Sequence, residues 1–155
     1  MSSPTPPSMS ARDLEAFLHE KIPLSRAMGV SVAEIGSGQL ILEAPLAENI
    51  NHLGTAFGGS LHALPTLACY ATLWLLMHEA GLAGHVVVKH SEAKYRQPVK
   101  GRLRAISARP SEEAATKFLG DLQRHRKARM ELTAIVEGEN DRSAVEFSGV
   151  FVAII

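Results

Sequence analysis

The sequence predicts an α+β fold in which a six-stranded antiparallel sheet wraps around one long central helix. Three observations carry that expectation. A stretch of about 25 residues, Leu53–Met77, contains no Asp, Glu, Lys or Arg, the pattern of a helix that is apolar on every side. Two short strand-like runs precede this stretch and four follow it, several of them alternating apolar and polar residues at a period of two. A helix with no polar face, set among strands, demands a sheet curved around it.

Length and composition suit such a fold. A chain of 155 residues fits one domain that buries about two-thirds of its unfolded surface. Apolar residues make up 46% and charged residues 21%, an ordinary globular balance. The 16 basic and 16 acidic side chains cancel, which gives no electrostatic basis for binding nucleic acid or another polyanion. The single cysteine, Cys69, excludes an intrachain disulfide and a CxxC metal or redox pair. It also fits a reducing, cytoplasmic setting. Met1–Met9 is rich in Ser and Pro, without a basic region or an apolar run. It is expected to be a disordered tail ahead of a domain over residues 10–155, not a signal peptide. Leu53–Met77 is long enough to cross a bilayer, but Gly54, Gly58, Gly59 and Pro65 interrupt it and no Lys/Arg cluster flanks it. The expectation is a soluble core helix and no membrane.

Taken in order, the elements justify themselves locally. Ser10, with Asp13 three residues on, is a weaker form of the capping box, and Leu14, Phe17 and Leu18 share one face of the helix it starts. Pro23 interrupts that pattern. Val30–Ile35 and Gln39–Ala44 read as strands joined by a hairpin at Gly36-Ser37-Gly38. A polar loop, Glu48–His52, leads through Gly54–Gly59 into the apolar helix, expected over Ser60–Ala80 and ended by Gly81 and Gly84. The remaining strands are expected over Val86–Gln97, Arg102–Ala108, Ala128–Glu137 and Ala144–Ile154. In the third of these, Met130, Leu132, Ala134 and Val136 face one way, against Arg129, Glu131, Thr133 and Glu137. Before it, Ser111 caps a surface helix with Glu112 and Glu113 in its first turn and Ala115, Phe118, Leu119 and Leu122 on one face. Gly138–Arg142 supplies the last hairpin.

Chemistry concentrates at the start of the apolar helix. A glycine pair there, Gly58-Gly59, lets a ligand approach the backbone and aims free N–H groups at it. The positive end of the helix dipole favours developing negative charge. The plainer reading of the same pair is a tight turn from loop to helix.

The motifs bear a family likeness. Asn51-His52-Leu53-Gly54-Thr55-Ala56-Phe57-Gly58-Gly59-Ser60 resembles the signature of hotdog-fold thioesterases: an Asn, a Gly-x-x-His/Phe-Gly-Gly, then the central helix. Tyr95-Arg96-Gln97-Pro98-Val99, followed by Gly101, resembles the aromatic-x-x-Pro-x-x-Gly that closes their third strand. Ile22-Pro23-Leu24 and Met28-Gly29-Val30 narrow the likeness to the thioesterase-like domain also found C-terminal to some bacterial acetyltransferase-like proteins.

This resemblance implies hydrolysis of an acyl thioester of coenzyme A or an acyl carrier protein, without a cofactor or metal. It implies a homodimer, or a dimer of dimers, joined edge to edge through Val86–Tyr95, with the active site at the interface. Asn51 would orient the carbonyl or the attacking water, and Gly59 would offer an amide to the oxyanion. The family's helix carboxylate falls at the position of Thr66, whose hydroxyl is no general base near neutral pH. The candidate substitute bases are His62, four residues earlier on the same helical face, and Glu92 and His90 on the strand expected to line the cleft. The plainer role of each is a surface or satisfied polar group. Phe57, Gly58, Ser60, His90, Glu92, Tyr95 and Arg96 complete the expected substrate contacts, with His90 and Glu92 on the strand that lines the cleft. Arg96, Lys100, Arg102, Arg104 and the run Arg124–Arg129 are the basic candidates for a coenzyme A nucleotide; their plainer role is a solvated charged face. The missing carboxylate also admits a non-catalytic acyl-thioester-binding module. A hotdog dehydratase fits less well, for want of a His-plus-acid signature.

Other motifs fall short. Gly58-Gly59-Ser60-Leu61-His62 begins like a GxSxG elbow but ends in His, and the parallel βα pattern of an α/β hydrolase is missing. His19-Glu20 and His78-Glu79 start an HExxH motif without its second His.

Overall fold

The computed structural model describes residues 8–155. Of the expected tail, residues 1–7 lie outside the described residues, and half-buried Met9 packs against the core.

Helix α1 (Ala11–Lys21) starts where Ser10 Oγ accepts the Asp13 N–H at 3.0 Å, and it buries Leu14 and Leu18. Pro23 does more than interrupt it: the chain turns into a second short helix, α2 (Pro23–Ala27), with the proline at its first position, where a missing N–H costs nothing. Strands β1 (Ser31–Ile35) and β2 (Gln39–Ala44) form the expected hairpin. After a single 3₁₀ turn, Ala47–Asn49, comes the central helix α3 (Gly58–Glu79). Then follow β3 (His85–Tyr95), β4 (Leu103–Ala108), α4 (Glu112–His125), β5 (Lys127–Glu137) and β6 (Ser143–Ile154).

All six strands form one antiparallel sheet in the order β1-β2-β4-β5-β6-β3. The faces follow the sequence pattern: Met130, Leu132, Ala134 and Val136 of β5 are buried, as are Val145, Phe147 and Phe151 of β6. These side chains meet α3, whose Leu64, Leu67, Ala68 and Ala71 are buried as expected. By length and composition α3 could cross a bilayer. Its apolar surface is taken up instead by the sheet on one side and by α1 and α2 on the other, with Phe17 stacked on Trp74 at 4.0 Å between ring centroids.

One detail of α3 differs from expectation. The helix begins at Gly58, two residues early, so both glycines lie in its first turn. The helix runs unbroken through Pro65. The few polar groups in its buried stretch satisfy one another: Thr72 Oγ1 donates to the Ala68 carbonyl, and Thr72, Ser107 and Cys69 form a buried chain. Burial pushes the Cys69 thiol up to about 12, so it stays protonated and packs as a small hydrophobe.

The sheet leaves two edges, β1 and β3. The β3 edge is long, and its first half exposes Val87 and Val88. Its pairing with β6 slips by one residue at Lys89: Val88 faces Phe151 and His90 faces Val150. This bulge fixes which side chains of β3 look at the helix.

Candidate active site

The loop before α3 is held by its own asparagine. Asn51 Oδ1 accepts the N–H groups of Leu53 and Thr55 at 2.9 and 3.1 Å, while Nδ2 donates to Thr55 Oγ1 and the Ala56 carbonyl at 2.9 and 3.3 Å. These are the bonds of an Asx-type turn, and they occupy the whole side-chain amide. The end of the loop is pinned from outside, by Ala56 N–H to the Val99 carbonyl and Phe57 N–H to the Asn49 carbonyl. The Tyr95–Gly101 motif thereby meets the Asn51–Ser60 motif through Val99 and Ala56.

At the helix start, Phe57 is the N-cap residue and offers no side-chain cap. The Leu61 N–H closes the first helical bond to the Phe57 carbonyl. The amides of Gly58, Gly59 and Ser60 have no acceptor among the described residues, as the geometry of a helix start dictates. Glycine at 59 has a steric cause as well: a Cβ there would sit 3.0 Å from Cζ of the exposed Phe57 ring, which folds back over it. On the other side, Tyr95 Oη donates to the Gly58 carbonyl at 3.0 Å. Three open amides thus sit between two aromatic side chains, with Ser60 half-buried beside them.

Strand β3 runs antiparallel to α3, with Tyr95 beside Gly58 and Ser91 beside His62. Beyond them lies a slot of about 230 Å³ between α2, α3 and β3, walled by Met28, Ala63, Leu67, Tyr70, Val88 and Phe151. Thr66 also lines it, but its hydroxyl donates to the His62 carbonyl at 2.7 Å, the helix-internal bond usual for a buried threonine. Burial pushes the Tyr70 phenol up, which keeps the slot wall uncharged. His62 Nε2 lies 3.1 Å from Ser91 Oγ, and its ring stands edge-on to Phe147 with centroids 5.5 Å apart.

The remaining expected contacts divide. Residues directly opposite in an antiparallel pair share a face. Ser91, Ala93 and Tyr95 pair with Gly149, Phe147 and Val145 and face the helix. His90 and Glu92 pair with Val150 and Ser148 and face outward, on the side of the sheet away from the slot. Strict alternation from the helix-facing Val86 and Val88 would have turned His90 and Glu92 inward. The bulge at Lys89 reverses the parity. Arg96 is exposed and paired with Glu146 at 3.2 Å. Of the other basic candidates, Arg102 and Arg104 pair with Glu43, and Arg104 also with Glu137. Lys127 and Arg129 line a groove on the outer face.

Two residues escape sequence reasoning. Ser91 gives no signal without the bulge. Asn49 is buried, donates to the Met28 and Pro45 carbonyls at 2.9 and 2.8 Å, and leaves Oδ1 without a partner. It links the slot wall at Met28 to the helix start at Phe57, and its only signal was a polar residue two before Asn51.

Known proteins share this architecture. A solved structure from Chlorobaculum tepidum TLS, of a protein of unknown function, is 33% identical, with 95% of this chain and 98% of that one covered and a TM-score of 0.89. A "putative thioesterase" from Shewanella oneidensis is 27% identical over 94% of this chain and 97% of its own, with a TM-score of 0.84. A thioesterase from Haemophilus influenzae is 14% identical over 96% and 93%, with a TM-score of 0.71, a likeness of fold alone. The sequence model of the family described as "Putative thioesterase (yiiD_Cterm)" matches residues 11–155. The hotdog fold anticipated from the motifs is the fold observed, and the chain belongs to that thioesterase family.

Proposed function

We propose that the protein hydrolyses an acyl thioester, carried on coenzyme A or an acyl carrier protein, at the start of α3. The observation that carries this reading is the set of three unpaired amides, Gly58, Gly59 and Ser60, at the start of the helix that also walls an apolar slot. A thioester carbonyl accepting from them gains full negative charge as water adds. The amides and the helix dipole then hold the oxyanion more tightly than the carbonyl, which is the difference that accelerates a reaction. The acyl chain follows the helix from Ala63 to Tyr70, about 10 Å at 1.5 Å per residue. Asn51 acts by fixing the loop that presents the amides.

Proton transfer falls to His62, because the Thr66 hydroxyl is neither basic nor free. His62 shares a helical face with Thr66 and carries an imidazole, the side chain most often used in proton transfer. Water adds to the carbonyl carbon and gives its proton to His62. The tetrahedral oxyanion collapses, the C–S bond breaks, and the leaving thiolate takes the proton back. No step calls for a metal or a cofactor.

A second copy of the chain belongs in this reading. The slot is smaller than the roughly 300–1,000 Å³ of complete small-molecule sites, and Val87 and Val88 at its rim stand on an unpaired strand edge. Pairing of two β3 edges would cover both.

The test is release of free thiol from short, aromatic and long acyl-CoAs and from acylated carrier protein. The reading expects turnover of at least one substrate class, reduced about a hundredfold or more in His62→Gln. A non-catalytic acyl-binding module is the alternative, favoured by the uncharged Thr66 at the family's carboxylate position. Tight acyl-CoA binding with no thiol released from any substrate would decide for it.

A further inference from the structure

We infer that Ser91 is a positioning residue that holds His62 in its working orientation, and that the β3 bulge is the device that supplies it. The inference rests on the reading of His62 as the base. A histidine on a half-buried helix face has two free side-chain torsions, and a base must be held near one geometry to be effective. Two contacts fix His62: Phe147 stands against the edge of its ring, and Ser91 Oγ lies 3.1 Å from Nε2. The first blocks rotation and the second fixes where Nε2 points. When Nε2–H donates to Oγ, the lone pair stays on Nδ1, and the water is activated there. None of the ion pairs among the described residues includes His62. On β3 and β6, the nearby helix-facing positions are Ser91, Ala93, Tyr95, Val145, Phe147 and Gly149, without a carboxylate or a cation. Ser91 therefore takes the place of the acidic residue that orients histidine in many hydrolytic sites.

Room for this contact is built into the sheet. Ser91 pairs with Gly149, where a Cβ would lie 2.8 Å from Cε2 of Phe151 and 3.2 Å from Cζ of Phe147. Glycine there lets both rings fold over the strand and brings Phe147 up to His62. Had Lys89 taken a regular place in the ladder, position 91 would face outward and His90 and Glu92 would face the helix in its stead.

Steady-state kinetics and imidazole NMR on the full chain test the inference together. Ser91→Ala is expected to lower kcat about tenfold and leave KM unchanged, while Ser91→Thr, which keeps the hydroxyl, retains most of the wild-type kcat. In ¹H–¹⁵N spectra assigned with His62→Gln, the His62 Nε2–H should exchange slowly in the wild type and in Ser91→Thr, and exchange too fast to observe in Ser91→Ala. If His62→Gln abolishes turnover while Ser91→Ala matches the wild type in kcat and spectrum, Ser91 holds nothing and this inference alone is overturned. If His62→Gln turns over like the wild type, or no thioester is cleaved, His62 is not a base and both readings fall. A KM rise with kcat unchanged in Ser91→Ala also contradicts it, because it would make Ser91 a substrate contact.

Discussion

Asn51 shows how a residue can matter at a site without reaching the substrate. Its amide makes four hydrogen bonds, all within the Asn51–Ala56 loop, and the loop ends at the amides of α3. Asn51→Ala is expected to lower kcat/KM tenfold to a thousandfold by letting the helix start drift. It should also cost about 1–3 kcal/mol in urea unfolding, as expected when hydrogen-bonded groups lose partners. A kinetic loss with unchanged stability would point to a direct substrate contact instead. Cys69 carries a second prediction at this scale. Burial raises its thiol from 9.0 to about 12, so the unfolded chain ionises first. The stability it contributes is complete below pH 9 and is lost as pH rises toward 12, on the order of 4 kcal/mol at most. Unfolding curves at pH 7 and 10.5 should differ less in Cys69→Ala than in the wild type; an equal difference in both would mean that the thiol does not govern the alkaline loss.

Elements decide what single residues cannot. The long uncharged stretch announced α3, and the alternation in β5 announced its buried face, because each is a repeating pattern over ten residues or more. The glycine-rich helix start was equally legible in Gly58 and Gly59, although the helix took in two more residues than its first polar side chain suggested. What stayed hidden was parity along β3. His90 and Glu92 were expected on the cleft side, and one extra residue at Lys89 turned them out and Ser91 in. A bulge leaves no periodic trace in a strand that opens His85-Val86-Val87-Val88, with valines on both faces. Asn49 was hidden for a different reason: its partners, the Met28 and Pro45 carbonyls, are backbone groups that no side-chain pattern reveals. Deleting Lys89 should leave a regular ladder in which Val88, His90 and Ser91 keep Phe151, Val150 and Gly149 as partners, so Ser91 and Tyr95 stay on the helix side and turnover survives. Lys89→Ala keeps the bulge and should keep activity. Turnover lost in the deletion but kept in Lys89→Ala would show that this pairing does not set the faces of β3.

At the scale of the whole molecule, the β3 edge and the slot meet. An exposed edge carrying Val87 and Val88 beside an incomplete slot fits a chain that works in pairs, and sedimentation at micromolar concentration is expected to show a dimer. Val88→Lys places charge at that edge, a common device against strand pairing, and should shift the equilibrium toward monomer with loss of thioester turnover. A wild-type monomer that is fully active would remove the partner from the site. The central claim is that the first turn of α3 holds the reacting carbonyl and the slot holds the acyl chain. A crystal structure with a ketone analogue of an acyl-CoA, in which a methylene replaces the thioester sulfur, tests it most directly. The account predicts the ketone oxygen about 2.7–3.1 Å from amides of Gly58–Ser60, with the chain lying between Ala63 and Tyr70. An analogue bound with its carbonyl away from these amides, or with its chain in the outer groove by Lys127 and Arg129, would contradict it.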